Sequence, residues 1–310
     1  MIDSPAKTQT PVSQPITDLR PPRQSYEEWL EQGKILCFRE CPFAVPSAED
    51  CAFLYGQQLG AFHKNITYDP ATKHVSGFRR SSQSQTVRLT NILRTFADQA
   101  NDWLRQILPG YATRWHPDRA SFRSEEEATR KLRLSARNDL IHVDAFPTRP
   151  AGGARLLRLF LNIHPTDPRV WVTSKTFPEL FRDFGELIKG KQTWSVLRPW
   201  SLLQDQLRSW WSMAPRTNYD KFMLRFHHFL KSNDTFQEKC PKRFWKFPPG
   251  AVWVAFTDSL SHAVLRGQFA LEHSFFVGLD GLVMPELAPA TILGEHSVGQ
   301  NGVSHLRQAA

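Results

Sequence analysis

His142-Val143-Asp144 sets an imidazole and a carboxylate two residues apart. On extended backbone such residues point the same way, so both donors face one side of the chain. His262 lies far downstream, after the apolar run 251–257 and the short segment Asp258-Ser259-Leu260-Ser261. Two histidines and one carboxylate are the donor set of a facial triad. That triad binds non-haem Fe(II) on one face and leaves the other open for a co-substrate and O2. A lone H-x-D also arises by chance, and its ordinary meaning is a half-buried His bonded to a carbonyl. Here the loop 145–153 leads from Asp144 into a strong strand pattern, and a strand–turn–His arrangement follows downstream. His227 and His228, beside Phe226 and Phe229, read as helix packing. His164 adjoins Pro165, and His273 falls inside a strand pattern. His262 is preferred because it is expected at a strand's end, on a barrel rim.

An iron triad alone does not reduce O2 to a useful oxidant. A 2-oxoacid supplies two further electrons, and its far carboxylate needs a fixed cation, best a bidentate Arg. In many jelly-roll oxygenases that Arg stands on the last strand, shortly after the distal His. Here Glu272 and His273 occupy the corresponding places. In Jumonji-type oxygenases the cation lies on the strand after H-x-D, and Arg158 stands there between Leu157 and Leu159. A charge in so apolar a strand is expensive unless paired. Asn162 shares the strand face of Arg158 and is expected to add a hydrogen bond, with Arg266 as an alternative cation. Arg137, Arg149, Arg155 and Arg266 are candidates for an anionic substrate group, by nearness in sequence to the ligands. Each also reads as a solvated surface Arg.

The elements that would carry these residues follow from periodicity. A Ser25-capped helix, a strand over 35–38 and a helix over 47–62 open the chain. The clearest helix spans 86–108, with Val87, Leu89, Ile92, Leu93, Phe96, Ala100, Trp103, Leu104 and Ile107 on one face. Strands are expected over 156–163, at 171–172, over 251–257 and over 271–277, continuing through Leu282-Val283. Helical patterns over 177–187, 201–211 and 218–230 interrupt the strands. Helices, strands, a helical insertion and further strands suit an α+β protein with a double-stranded β-helix (jelly-roll) core. Residues 1–24 read as a flexible tail, 25–285 as the jelly-roll domain with its insertion at about 177–240, and 286–310 as an irregular C-terminal tail.

Composition narrows the function classes. Ten Trp and twenty-two Phe among 310 residues allow a large core, and twenty-two Pro argue against a helical bundle. The four Cys, with only Cys37 and Cys41 closely spaced, make no zinc site and suit a reducing compartment. No apolar stretch is long enough to span a bilayer, and the opening residues lack a signal-peptide core. The net charge is +9 and the isoelectric point near 9.6. The basic residues are scattered and no nucleic-acid motif occurs, so an anionic substrate or membrane face is preferred over nucleic acid.

Four separated segments, taken in order, resemble the Kdo hydroxylases. They are His142 to Pro150, Leu157 to Pro165, Tyr219 to Leu230, and Asp258 to Glu272. The resemblance spans most of 25–285 and leaves both tails uncovered. It implies an enzyme dependent on Fe(II), 2-oxoglutarate and O2, with His142, Asp144 and His262 as metal ligands and Arg158 on the co-substrate. It implies hydroxylation at C3 of 3-deoxy-D-manno-oct-2-ulosonic acid (Kdo) on lipid A, giving Ko during lipopolysaccharide inner-core assembly. It further implies a cytoplasmic enzyme working at the face of the inner membrane. The insertion is a candidate lid or homo-oligomer interface. The competing readings are a 2-oxoglutarate oxygenase of another substrate, such as a protein side chain, and a non-catalytic sugar-binding jelly roll.

Overall fold

The structure, a computed structural model, describes residues 25–61, 63–190 and 216–294. The expected helix over 201–211 and the segments 1–24 and 295–310 lie outside them. Helix α1 (Tyr26–Glu31) is capped reciprocally: Ser25 Oγ accepts Glu28 N–H, and Glu28 accepts Ser25 N–H. Helix α2 spans Ala48–Tyr55, shorter than the periodicity suggests. Beyond it Leu59 bridges to Phe78, and Gly60 N–H donates to Gly77 O at 2.9 Å, so strand-like pairing takes over from the helix. Gly77 is required there, because its φ is +88° and a Cβ would sit 2.2 Å from Asn65 O. Helix α3 (Gln83–Ile107) begins three residues earlier than expected, since Ser82 caps it by accepting Gln85 N–H.

Among the described residues, ten strands form two antiparallel sheets. In chain order they are β1 (Leu36–Phe38), β2 (Ile66–Asp69), β3 (His74–Ser76), β4 (Trp115–Arg123), β5 (Arg155–Asn162), β6 (Arg169–Thr176), β7 (Arg243–Phe247), β8 (Val252–Phe256), β9 (Leu260–Arg266) and β10 (Ala270–Val277). The larger sheet runs β1-β8-β5-β10-β4-β2-β3 and the smaller β7-β6-β9. Helices α4 (Phe177–Gly190), α5 (Asn218–Ser232) and α6 (Asp234–Lys239) belong to the insertion.

Three apolar clusters fix the layers. Leu157, Leu159 and Leu161 of β5 turn outward with Phe96 and Leu104 of α3. Phe160 and Trp253 of the larger sheet meet Trp171, Phe247 and Val264 of the smaller, joining the sheets face to face. Val172 and Ala263, on the other face of the smaller sheet, pack under Phe177, Phe222 and Phe226 of the insertion. This is the expected jelly roll with helices on both sides. The alternation along β5 is what leaves Arg158 pointing inward between the sheets.

Several local expectations are corrected. Leu282-Val283 does not continue the sheet; Val283 N–H and Met284 N–H donate to the Glu31 carboxylate at 3.0 and 2.5 Å. Past Pro285 the chain forms helix α7 (Pro289–Ile292), and Ala288 and Ala290 are fully buried. His262 stands inside β9, not at a strand's end, and the turn before it is confined to Thr257–Ser259. The hairpin β2–β3 and strand β7 are short and lacked a distinct pattern.

Candidate metal centre

His142 lies beside β9. His142 N–H donates to His262 O at 3.0 Å and His262 N–H to His142 O at 2.8 Å, a two-residue antiparallel bridge. Asp144 N–H donates to Thr257 O at 2.7 Å, which fixes the carboxylate two residues on. His142, Asp144 and His262 thereby offer ligand atoms that all lie within 4.8 Å of one another. His142 Nε2 is 3.4 Å and His262 Nε2 3.8 Å from the Asp144 carboxylate.

Each imidazole is aimed through its other nitrogen. His142 Nδ1 lies 2.6 Å from Leu140 O and His262 Nδ1 2.9 Å from Leu260 O. A carbonyl only accepts, so both Nδ1 atoms carry the proton and both Nε2 lone pairs face the centre. Trp171 stacks on the His262 ring at 5.0 Å and fixes its plane. Burial lowers the pKa of His142, and it lowers that of His262 to about 4. Burial alone would raise the Asp144 carboxyl, but Arg158 and the two imidazoles outweigh it and hold the group well below the carboxylate range. Neutral imidazoles and an ionised carboxylate are the forms a divalent cation binds, so the residues present fit the metal.

A line of alternating charge runs inward from the triad. Arg158 pairs with Asp144 on one side and, through Nε at 2.9 Å, with Glu272 on the other. Glu272 also accepts from Ser121 and Ser274, both at 2.5 Å, and pairs with Arg123 at 3.3 Å. Arg158 can therefore stand in an apolar strand because β10 supplies its counter-ion. Among the described residues, Arg123 Nε is buried with no hydrogen-bond partner.

The insertion supplies the outer edge of the ligand segment. Gln237 accepts from Ile141 N–H at 2.9 Å and donates to Ile141 O at 2.8 Å, as a neighbouring strand would. His227 Nδ1 donates to Val143 O at 2.8 Å, and its ring meets that of His142 at 4.8 Å. Asp220 completes the capping box of α5 by accepting Thr217 N–H, and also accepts from Ala151 N–H and Gly152 N–H at 2.8 and 3.1 Å, tethering the loop after Asp144.

Of the other candidates, Arg149 is close to the centre, lining a small cavity with Asp144, Tyr219 and Asp258. It pairs with Asp118 and stacks on Phe146, and burial lowers its pKa to about 10. The rest are not brought to the triad. Asn162, about 13 Å along β5 from Arg158, donates to Asp167 O and Phe247 O, both at 3.0 Å. Arg155 is fully buried on the helix-facing side of β5 and holds Asp258 at 2.9 Å. Arg137 pairs with Asp139, and Arg266 pairs with Asp167 at the far end of β9. Arg123 and Gln237 have no counterpart among the sequence candidates, and His227, expected only as helix packing, also bonds the ligand segment. The one sequence signal for them is a polar residue on an otherwise apolar helix face, as for His227 beside Met223, Phe226 and Leu230.

The fold and the donor set define a mononuclear non-haem metal centre in a jelly-roll oxygenase. The family model described as 3-deoxy-D-manno-oct-2-ulosonic acid (Kdo) hydroxylase matches residues 16–300. The structure superposes on the apo form of the Kdo hydroxylase KdoO, a non-heme Fe(II) alphaketoglutarate dependent dioxygenase. The TM-score is 0.76 at 30% identity, covering 88% of this chain and 90% of that one. The cobalt(II) complex of KdoO matches with the same values. Its complex with alphaketoglutarate and Fe(III) gives 0.75 and 29% over the same shares. Curated protein sequences gave no match. The chain belongs to the Kdo hydroxylase family.

Proposed function

We infer that the protein is an Fe(II)/2-oxoglutarate-dependent dioxygenase that hydroxylates C3 of Kdo linked to lipid A, converting it to Ko. The observation that carries this is the buried His142–Asp144–His262 set with both Nε2 atoms aimed inward, in a chain of the Kdo hydroxylase family. The metal, held by those three side chains, supplies the redox chemistry by which 2-oxoglutarate and O2 become succinate, CO2 and a hydroxyl on the sugar. The protein's share is positioning. Arg158 orients Asp144, and with Arg123 it makes a cation pair around Glu272 that suits the far carboxylate of 2-oxoglutarate. Arg149, in the cavity beside Asp144, suits the carboxylate of Kdo. Among the described residues no helix is long and apolar enough to cross a membrane. A net charge of +9 favours peripheral contact with the anionic lipid that carries the substrate.

The test is turnover of Kdo-bearing lipid A by the purified protein with Fe(II), 2-oxoglutarate and O2, read by mass spectrometry. One added oxygen on Kdo, matched by succinate and lost on chelation, is the expected result. Succinate without sugar oxidation would reject Kdo as the substrate, and no succinate at all would reject the enzyme class.

A further inference from the structure

A second cavity, of about 280 Å3, opens at the same end of the barrel as the triad. Here the end of β6 and the starts of β7 and β9 meet the residues leading into β1. Two cations are stacked on indoles in its wall: Lys34 Nζ lies 4.3 Å from the Trp29 ring, and the Arg243 guanidinium 4.2 Å from that of Trp245. Among the described residues, no acidic side chain lines the cavity. Lys34 donates to a neutral partner, Gln32 Oε1, at 2.7 Å. The carboxylate bonded to a lining residue, Glu179, already takes Thr176 N–H and hydroxyl at 2.7 and 2.8 Å.

The β6–β9 register shifts between Thr173 and Thr176, which lets successive residues of β6 reach the cavity. Thr173 Oγ1 accepts the Trp245 indole N–H at 2.8 Å, fixing the ring under Arg243. Among the described residues, Ser174 Oγ is buried without a partner. A buried hydroxyl without a partner calls for an acceptor, and two cations held over indoles call for negative charge. A neutral sugar ring is a poorer fit, because the cations already cover the indole faces on which it would stack.

The position ties the cavity to the reaction. Leu260 lines it, while Asp258 lines the small cavity beside Asp144, so the two sites lie within about 7 Å of chain. Thr173 pairs directly with His262.

We propose that this cavity is a second anion subsite, in which Lys34, Arg243 and Ser174 hold a carboxylate or phosphate of an extended substrate whose Kdo sits at the metal. This rests on the reading of the substrate as Kdo linked to lipid A.

The test compares the full-length protein, loaded with Co(II) and 2-oxoglutarate, with its Lys34→Gln/Arg243→Gln variant. Binding of lipid A carrying two Kdo residues, in neutral-detergent micelles, is measured for both. The variant should bind at least tenfold more weakly and with a shallower salt dependence. Its Co(II) spectrum and 2-oxoglutarate affinity should be unchanged. Repeating the comparison with an acceptor stripped of the lipid A phosphates, or carrying a single Kdo, identifies the group held. The difference between the proteins disappears for the acceptor that lacks it. Equal affinity of both proteins for the complete acceptor overturns the subsite. Failure of the wild type to bind that acceptor overturns the substrate reading itself.

Discussion

Arg158 and Glu272 neutralise each other between the sheets, and each has a second charged neighbour: Asp144 for Arg158, Arg123 for Glu272. Burial alone would raise the Glu272 carboxyl, but the two guanidinium groups hold it below its ordinary range. An ion pair of this kind adds little net stability over apolar residues of the same shape, whereas breaking it leaves an uncompensated buried charge. Glu272→Met should therefore cost about 3–5 kcal/mol, and Arg158→Met a similar amount. The double variant should lie closer to the wild type than the sum of the two, read by urea denaturation of the metal-free protein. Strict additivity would show that the two charges are not coupled. Arg158→Met should also weaken 2-oxoglutarate binding, because it removes one of the two cations proposed for its carboxylate.

At the scale of elements, the strand period decides what each neighbouring side chain can do. Glu272 faces the barrel interior, and His273, one residue on, faces the opposite side beneath the helices, with Nδ1 3.3 Å from Arg119 O. Burial lowers the His273 pKa to about 4. The unfolded chain takes up this proton near pH 6.5 and the folded chain only near pH 4. Stability is thus full above pH 6.5 and falls as pH drops between these values, by on the order of 3 kcal/mol from this residue. Denaturation of wild type and His273→Gln from pH 7 to 4 should show a shallower fall in the variant; parallel curves would remove His273 as the cause. The insertion helices make a second prediction. Gln237→Leu removes both edge bonds to Ile141, just before His142, and should weaken Co(II) binding about tenfold. Gln237→Glu, which keeps the acceptor for Ile141 N–H, should recover part of that loss in the same titration. An unchanged Co(II) affinity in Gln237→Leu would show that the insertion does not position the metal. These elements also show what was legible in the sequence. Helix α3 and strand β5 carry long periodic patterns and emerge within a few residues of expectation. The triad was legible because coordination chemistry restricts residue type and spacing together. Gln237 and His227 reach the centre only through the packing of α5 and α6 on the smaller sheet, which no local pattern encodes. Asn162 shows the converse error: sharing a strand face with Arg158 says nothing of distance along the strand.

At the scale of the molecule, the described residues build three apolar clusters on which stability rests: under α3, between the sheets, and under the insertion. The triad lies between the second and third, joined to them by Trp171 and Val143, and contributes buried polar groups instead of apolar area. The fold is therefore expected to persist without metal, and chelation should abolish turnover while far-UV circular dichroism stays unchanged. Metal that binds only the folded chain must stabilise it by linkage: a hundredfold excess over Kd contributes about 2.7 kcal/mol. For a domain of this size each kcal/mol moves the melting temperature by roughly 2–4 °C, so Co(II) should raise Tm by about 5–10 °C. His142→Ala and His262→Ala should melt near the metal-free wild type, since each removes a buried imidazole and leaves the three clusters intact. Neither should respond to Co(II). A metal-induced shift that survives in both variants would place the ion elsewhere on the chain. Collapse of both variants in the absence of metal would mean that the histidines hold the sheets together directly. Only a shift confined to the wild type, with all three proteins folded, fits a preformed site whose ligands are set by the backbone bridge between His142 and His262.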